Sequence, residues 1–192
     1  MSGESRPEQP IVFVKGRGAG SNRPSRYVRD EPDDDLDYDP STQKTEVTER
    51  QAKSLLNRNQ SPDLSFDYTI NPYQGCEHGC VYCFARPTHA YLNLSPGLDF
   101  ETKLFAKVNA AEVLRKELSR KDFNPGIVAL GAATDAYQPI DRHYAIAREI
   151  LEVLAEFDVA VGITTKSALV TRDIDILAPM AEIGRASCRE RV

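Results

Sequence analysis

Two continuous apolar runs in the second half of the chain constrain the fold more than any other feature of the sequence. They cover residues 126–133 (GIVALGAA) and 159–165 (VAVGITT). A strand of a parallel sheet is buried on both faces, so it lacks the polar–apolar alternation of a half-buried strand. Between the runs, residues 141–156 have the spacing of an amphipathic helix, with Ile146, Ile150, Val153 and Leu154 on its buried side. Strand–helix–strand order of this kind predicts right-handed βαβ units and a parallel sheet.

Further elements are predicted on both sides of these runs. Residues 66–70 alternate apolar and polar side chains, as a half-buried strand does, and lead directly into a cysteine-rich segment. Asn109 and Glu112 form a capping-box pattern in front of a helix. The remaining predicted elements are a helix over residues 49–57, a short edge strand over 104–108, a helix over 110–119 and a helix from about residue 171.

The predicted units are too few for a closed barrel. About three βα units are visible, whereas an eightfold barrel needs about 250 residues, and the chain has 192. We therefore expect an α/β fold over residues 49–182: a partial (β/α) TIM-type barrel that is cut after about three βα units. The strand over residues 159–165 is then expected to be the outermost one. Because later strands of such barrels carry substrate-binding residues, we expect the chain to be inactive by itself.

Residues 1–48 have the composition of a disordered tail, rich in Pro, Gly, Ser and charge and poor in apolar residues. Residues 1–29 hold six Lys/Arg and two Asp/Glu, a net charge of +4, and residues 30–39 hold seven Asp/Glu and no Lys/Arg, a net charge of −7. The basic stretch around Lys15-Gly-Arg-Gly-Ala has two interpretations: a nucleic-acid-binding arm, or a solvated tail whose halves screen each other. The second is favoured, since charge runs are common in disordered tails.

The sequence gives no sign of a membrane or secreted protein. No apolar run approaches the roughly 18 residues that span a bilayer, and the N terminus lacks an apolar signal core. Three of the four cysteines lie within eight residues, whereas a secreted disulfide scaffold scatters its cysteines along the chain. We expect a cytoplasmic protein whose clustered cysteines bind a metal or serve a redox function.

The cysteine motif reads Cys76-Glu-His-Gly-Cys80-Val-Tyr-Cys83, a C-x3-C-x2-C pattern. Three thiolates on one tight loop can hold three irons of a cubane iron–sulfur cluster. No fourth cysteine lies nearby, so one iron keeps an open position, as at catalytic zinc sites. Gly75 and Gly79 allow the backbone to turn closely around the metal.

Zinc is the alternative metal for this loop. His78 or His89 could supply the fourth ligand of a Cys3His site, but the usual zinc sites combine two separated pairs of ligands, and this motif is one compact group. Hydrogen bonding within the loop explains both histidines better than metal ligation does. The sequence therefore favours an iron–sulfur cluster on the three cysteines.

The motif and its flanks resemble the radical S-adenosylmethionine (SAM) superfamily, which combines this cysteine spacing with an aromatic residue before the last cysteine. The run from Asn71-Pro-Tyr-Gln-Gly to Ala90 is similar to an uncharacterised bacterial radical SAM family related to the spore photoproduct lyase branch, whose members repair DNA. The resemblance covers roughly residues 50–182. Its other parts are Asp99-Phe-Glu-Thr-Lys, Thr134-Asp-Ala-Tyr-Gln-Pro-Ile-Asp, Thr165-Lys-Ser-Ala-Leu-Val-Thr-Arg-Asp-Ile-Asp and a fainter match in Gly16-Arg-Gly-Ala. The chain departs from the family pattern at Ala136, where a proline is expected, and at Asp141, where a glutamate is expected.

The resemblance implies a partial barrel of the radical SAM kind that holds a [4Fe–4S] cluster with SAM bound at its open iron. Reductive cleavage of SAM gives methionine and a 5′-deoxyadenosyl radical, which abstracts hydrogen from a substrate. A reductant such as a flavodoxin or ferredoxin is the implied partner, and a nucleic acid is the first substrate class to test. The alternative is a non-catalytic module with a structural metal in the cysteine loop and a basic arm that binds nucleic acid.

The resemblance also suggests which residues bind SAM. Tyr82 matches the position along the adenine, and Gly131, Thr134 and Asp135 follow the second main strand, where ligands of α/β folds bind. Lys166 ends the third strand, where it could pair with the SAM carboxylate. Plainer roles exist for three of them: packing for Tyr82, helix capping for Asp135 and a solvated side chain for Lys166. Arg172 and Asp173 are predicted to form an ion pair at a helix start.

The last ten residues, 183–192 (IGRASCRERV), break the apolar period of the preceding helix. One reading frame of a widely used short-read sequencing adapter encodes this string, so we interpret it as a non-native, adapter-derived tail. Cys188 then has no biological role. The competing interpretation, a fourth cluster ligand at Cys188, conflicts with an open position on one iron.

Overall fold

The computed structural model describes residues 16–22, 44–121, 123 and 125–190, with the backbone alone for residues 189 and 190, as a mixed α/β fold with two sheets. The strands are β1 (Glu46–Arg50), β2 (Asn57–Arg58), β3 (Tyr68–Ile70), β4 (Tyr73–Gln74), β5 (Lys103–Lys107), β6 (Ile127–Leu130), β7 (Ala160–Thr165) and β8 (Ala186–Glu190). The helices are α1 (Asp99–Thr102), α2 (Ala110–Leu118), α3 (Asp141–Tyr144), α4 (Ile146–Glu156) and α5 (Ile174–Glu182), with 3-10 helices over Arg86–Leu92 and Ala168–Asp173.

The larger sheet has the strand order β2-β3-β6-β7-β8. Its last four strands run parallel in the order of the sequence, and Val128 pairs with Tyr68 on one side and with Val161 on the other. β2 is antiparallel to β3. The parallel sheet that the two apolar runs predict is therefore present. Within the described residues this sheet is open, and its completion to a partial barrel stays a prediction.

The helices α2, α4 and α5 lie side by side in sequence order and cover one face of this sheet. Leu130 of β6 and Ile163 of β7 are buried there with Leu114, Ile150 and Leu154 of the helices. The other face is only partly covered: Ile127 is 45% exposed, and Gly162 has open space where a Cβ would lie. The prediction that β6 and β7 are buried on both faces is thus correct for one face only.

The smaller sheet corrects two predictions. Its order is β1-β5-β4, with β1 parallel and β4 antiparallel to β5. The predicted edge strand over residues 104–108 is therefore central, and its residues Leu104, Phe105 and Ala106 are buried. No helix forms over residues 49–57. The segment begins with Glu49 and Arg50, the last two residues of β1, which pairs in register with β5. This tertiary pairing overrides the helical propensity of the local sequence.

The predicted helix over residues 141–156 is interrupted. Ala145, with φ 52°, separates α3 from α4. Asp141 explains the restart, since its Oδ1 accepts a hydrogen bond from the N–H of Ala147 at 3.0 Å, which satisfies an early amide of α4. The buried side of α4 includes the predicted residues Ile146, Ile150, Val153 and Leu154. The helix predicted from about residue 171 begins as the 3-10 helix over Ala168–Asp173 and continues as α5.

Both chain ends differ from expectation. β8 pairs parallel with β7, with Ser187 opposite Gly162, so β7 is not the outermost strand. The adapter origin of residues 183–192 stays a prediction. At the other end, residues 16–22 and 44–48 lie inside the predicted tail but contact the fold, and Thr45 accepts a hydrogen bond from Arg17 Nη2 at 2.8 Å. Residues 1–15 and 23–43 of that tail lie outside the described residues.

In the part of the chain that the structure describes, no helix combines the length and apolar character needed to cross a membrane.

Candidate metal centre

Residues 75–85, here called the cysteine loop, follow β3 and β4 and end at the 3-10 helix over Arg86–Leu92. Its three cysteines are free thiols, with Cys76 buried and Cys80 and Cys83 partly exposed. The loop is anchored at its start, where the Cys76 N–H donates to the Phe100 carbonyl at 2.8 Å. Its turn is closed by a hydrogen bond from the Cys83 N–H to the Cys80 carbonyl at 3.2 Å. A long-range backbone bond thus holds Cys76, and a local one joins Cys80 to Cys83.

The Cys76 thiol lies in an environment that disfavours a bare thiolate. Burial raises its pKa to about 12, and the backbone N–H groups of His78 and Asp135 oppose this rise. Such N–H donors are typical partners of ligand sulfurs in iron–sulfur proteins. A bound metal ion would favour loss of the Cys76 proton.

The three thiols nevertheless do not converge. Among the described residues, no group of three or more His, Cys, Asp or Glu side chains is arranged to hold a metal ion. The three thiols and the N–H groups that face the Cys76 sulfur are the groups that an iron–sulfur cluster needs. In this structure, however, the three side chains do not point to a common metal position. The cysteines remain the predicted ligands on their chemistry.

Lys166 and Tyr82 meet at the second cysteine. Lys166 Nζ lies 3.3 Å from Cys80 Sγ and 5.7 Å from the centroid of the Tyr82 ring. Its hydrogen bond to Cys80 raises the pKa of Lys166. Tyr82 is 64% exposed, so it does not pack against the sheet as its plainer interpretation supposes. Two of the predicted SAM-binding residues thus have accessible side chains at this site: Tyr82, within the cysteine loop, and Lys166, beside it.

Asp135 accepts hydrogen bonds from protein groups with both carboxylate oxygens. Oδ1 accepts hydrogen bonds from Thr165 Oγ1 at 2.7 Å and the Tyr137 N–H at 2.9 Å. Oδ2 accepts from the Lys166 N–H at 2.8 Å and lies 3.2 Å from His78 Nε2. Burial alone raises the pKa of Asp135, but the hydrogen bonds outweigh it and hold the pKa below its ordinary value. The carboxylate therefore joins the end of β7 to the cysteine loop, and its contact with SAM stays a prediction.

Thr134 and Gly131 are also used inside the fold. Thr134 Oγ1 donates to the Tyr73 carbonyl at 2.9 Å, and the side chain is buried. Asn71 Oδ1 accepts from the Ala133 N–H at 2.8 Å. Gly131 has φ 79°, and a Cβ there would lie 2.9 Å from the Ala136 nitrogen. The bonds of Thr134 and Ala133 join the loop after β6 to the segment that precedes the cysteines, and contacts of Thr134 and Gly131 with SAM stay a prediction.

The two histidines contact different protein groups. His89 is buried, its Nε2 lies 3.0 Å from the Lys103 carbonyl, and its ring packs edge-on against Phe100. Burial lowers the pKa of His89. His78 Nε2 lies 3.2 Å from Asp135 Oδ2. The contact of His89 agrees with the predicted role in hydrogen bonding, and for His78 that role stays a prediction.

Sequence reasoning missed several buried polar residues around the loop. Gln138 is fully buried, its Nε2 donates to the Gly75 carbonyl, and its Oε1 accepts from the Glu77 N–H, both at 3.1 Å. Glu101 is fully buried as well. The local sequence does not reveal the role of either residue, because the partners of each lie far away in the sequence.

The predicted Arg172–Asp173 ion pair is present, with Nη2 2.8 Å from Oδ2. It extends to Asp141, whose Oδ2 lies 2.9 Å from Arg172 Nη2 and whose Oδ1 accepts from the Tyr73 hydroxyl at 2.6 Å. Asp141, the shorter residue at an expected glutamate position, thus links β4 to α4 and to the 3-10 helix that contains Arg172. Burial raises the pKa of Asp141, while Arg172 and the other donors act in the opposite direction.

Comparison with known proteins gives relatives without assigned activity. Uncharacterised proteins of Mycobacterium tuberculosis and Mycobacterium bovis are 45% identical over 131 residues, which cover 68% of this chain and 38% of theirs. An uncharacterised protein of Methanocaldococcus jannaschii is 28% identical over 140 residues, 73% of this chain and 50% of that protein. The chain therefore spans about two-fifths to one-half of these relatives. No family model matches the chain, and no solved structure matches it.

Proposed function

We propose that this chain is part of a radical SAM enzyme. Cys76, Cys80 and Cys83 bind a [4Fe–4S] cluster, and SAM binds at the iron that no cysteine holds. When bound, the cluster and SAM would supply reductive cleavage of the C5′–S bond, with an electron from a flavodoxin or ferredoxin, and abstraction of a hydrogen atom from a substrate. The proposed first substrate class is a nucleic acid.

The observation that carries the proposal is the set of groups gathered at the cysteine loop. Three free thiols lie on the segment between β4 and the 3-10 helix over Arg86–Leu92, and a lysine ammonium lies 3.3 Å from one sulfur. Cationic and N–H donors near ligand sulfurs are the means by which proteins stabilise and tune such clusters. A compact set of three cysteines leaves an iron free for a further ligand, as an open catalytic zinc site does.

The chain's own residues have defined roles in this proposal. The Lys166 ammonium, which is near Cys80, supplies positive charge for the SAM carboxylate, and the exposed ring of Tyr82 offers a face for the adenine. Asp135, Thr134 and Gly131 hold the surrounding loops in place through their internal contacts. The cofactors supply the radical chemistry, and the protein supplies position and electrostatics.

Metal analysis of the anaerobically reconstituted protein tests the cluster. We expect about four irons and four sulfides per chain, and loss of both when any one of Cys76, Cys80 or Cys83 is changed to Ala. Cys188→Ala is the matched control and should keep the wild-type content. A single zinc without sulfide supports the alternative, a non-catalytic metal-binding module. An intact cluster in Cys80→Ala contradicts the ligand assignment.

Calorimetry of SAM binding to the reconstituted protein tests Lys166. Lys166→Ala should lower the affinity on the order of tenfold to a hundredfold, because a charge-assisted hydrogen bond contributes about 1.5–3 kcal/mol. Lys166→Arg keeps the charge and should retain most of the affinity. If Lys166→Ala binds SAM as tightly as the wild type does, Lys166 is not part of the SAM site.

A further inference from the structure

We propose that residues Gly16–Asn22, here called the N-terminal clasp, position the cysteine loop, and that Glu101 is the positioning residue that couples the two. The inference concerns residues that the sequence pattern assigns to a disordered tail. It rests on the proposed function only in the part that concerns cluster retention. The contact itself is a property of the chain without any cofactor.

Glu101 is the centre of the contact. Its side chain is fully buried, its Oε2 accepts from the Gly18 N–H at 3.0 Å, and its Oε1 accepts from the Ala19 N–H at 3.0 Å. Arg17 adds a bond from Nη1 to the Glu101 carbonyl at 2.8 Å. A buried carboxylate needs such partners, because an unpaired charge in the interior is very unfavourable. The clasp is therefore docked on Glu101.

Arg86 connects Glu101 to the cysteine loop. Its Nη2 lies 2.5 Å from Glu101 Oε1, and its Nε donates to the Cys80 carbonyl at 2.9 Å. Nη1 donates to the carbonyls of Pro96 and Gly97, both at 3.2 Å. The Arg86 guanidinium thus binds the backbone of Cys80, a predicted cluster ligand, and also binds Glu101, on which the clasp is docked. The rigid fork of an arginine suits this role in a way that a lysine ammonium does not.

The clasp also touches the cysteine loop directly. A Cβ on Gly18 would lie 1.7 Å from the carbonyl oxygen of Gly79, which is between Cys76 and Cys80. Only a glycine fits this approach. A second close approach occurs where a Cβ on Gly97 would lie 2.1 Å from the Ser21 carbonyl oxygen.

The far end of the clasp is held by a reciprocal pair. Asn22 Nδ2 donates to Asp99 Oδ1 at 3.0 Å, and the Asp99 N–H donates to Asn22 Oδ1 at 2.8 Å. The clasp is thus fixed at both ends, and Gly18 lies against the cysteine loop between them. Since the loop itself buries few apolar groups, its local opening is governed by such contacts. Ligands held in place by supporting contacts bind a metal more tightly than mobile ones.

Hydrogen exchange and thiol alkylation of the metal-free protein test the clasp, with Cys188→Ser as the background so that only the loop cysteines report. Gly18→Ala should remove the contact with Gly79. The amides of Ala19 and Cys76 should then exchange faster, and the buried Cys76 thiol should be alkylated on the order of tenfold or more faster, as loss of a charge-assisted hydrogen bond permits. The amide of Val161 in the sheet should keep its protection. Gly162→Ala is the matched control, because open space surrounds a Cβ there.

A second variant keeps the test decisive if Gly18→Ala disturbs folding. Arg86→Lys leaves the clasp sequence intact but removes the fork between Glu101 and the Cys80 carbonyl, and it should also raise Cys76 alkylation. In the reconstituted protein both variants should lose iron to a chelator faster than Gly162→Ala does. Unchanged Cys76 alkylation in both variants overturns the inference. If neither the wild type nor any variant binds a cluster, the proposed function fails. The alkylation result still decides whether the clasp positions the loop.

Discussion

The sheet core and the cysteine loop are stabilised by different kinds of interaction. Under α4 the core consists of apolar side chains such as Leu130 and Ile150, which are essentially unexposed. The cysteine loop instead exposes Val81, Tyr82 and Phe84 and is held by hydrogen bonds to buried polar residues. Apolar burial stabilises the whole domain, whereas each polar contact of the loop stabilises a local arrangement. Stability of the fold and geometry of the site should therefore respond to different substitutions.

The largest effect on stability is expected in the core. Leu130→Ala should lower the free energy of unfolding by about 2–5 kcal/mol, because it removes buried methyl groups and leaves a cavity. Ile127→Ala, on the open face of the same strand, should cost much less, since Ile127 is 45% exposed. Urea denaturation followed by circular dichroism gives both values. Equal losses in the two variants contradict the assignment of the buried face.

A smaller and local effect is expected at Gln138. Gln138→Ala removes the bonds to the Gly75 carbonyl and the Glu77 N–H, and each buried group left without a partner costs about 1–3 kcal/mol. Hydrogen exchange should show faster exchange of the Glu77 amide while the amides of β6 and β7 keep their protection. Exchange that rises equally in the sheet shows that the loop and the core do not behave as separate units.

The smallest effect is a dependence on pH at His89, which lies in the 3-10 helix after the cysteine loop. Burial lowers the pKa of His89 in the folded protein, so the unfolded chain binds a proton more readily. Stability from the neutral ring is present above the unfolded pKa of about 6.5 and is lost as the pH falls toward the folded pKa. His89→Gln should therefore weaken the stability loss between about pH 7 and pH 5, as measured by urea denaturation. The same slope in both proteins contradicts this role.

Local sequence patterns predict the core well and the loop's surroundings poorly. The apolar runs and the spacing of Ile146, Ile150 and Leu154 are readable because β6, α4 and β7 bury periodic faces against one another. The clasp is unreadable, since Gly18 and its partner Glu101 are 83 positions apart. The helix predicted over residues 49–57 is wrong at its start, because Glu49 and Arg50 belong to β1, whose partner strand β5 lies more than 50 positions away in the sequence.

The candidate site divides in the same way. The spacing of the three cysteines and the position of Lys166 after a strand are local features, and the structure brings Lys166 next to Cys80. Asp135 is also predicted to contact the cofactor, and the structure adds contacts with Thr165 of β7 and His78 of the cysteine loop that local sequence does not reveal. A buried carboxylate and a ligand-binding one look alike in sequence, and only the partners distinguish them.

Electron paramagnetic resonance of the reduced, reconstituted protein with and without SAM tests the central claim most directly. A [4Fe–4S] cluster on Cys76, Cys80 and Cys83 with one iron open to SAM should give a signal that changes when SAM is added. The Lys166→Ala variant should show the same signal and need more SAM for the same change. A signal that SAM leaves unchanged, or zinc in place of iron, contradicts the account.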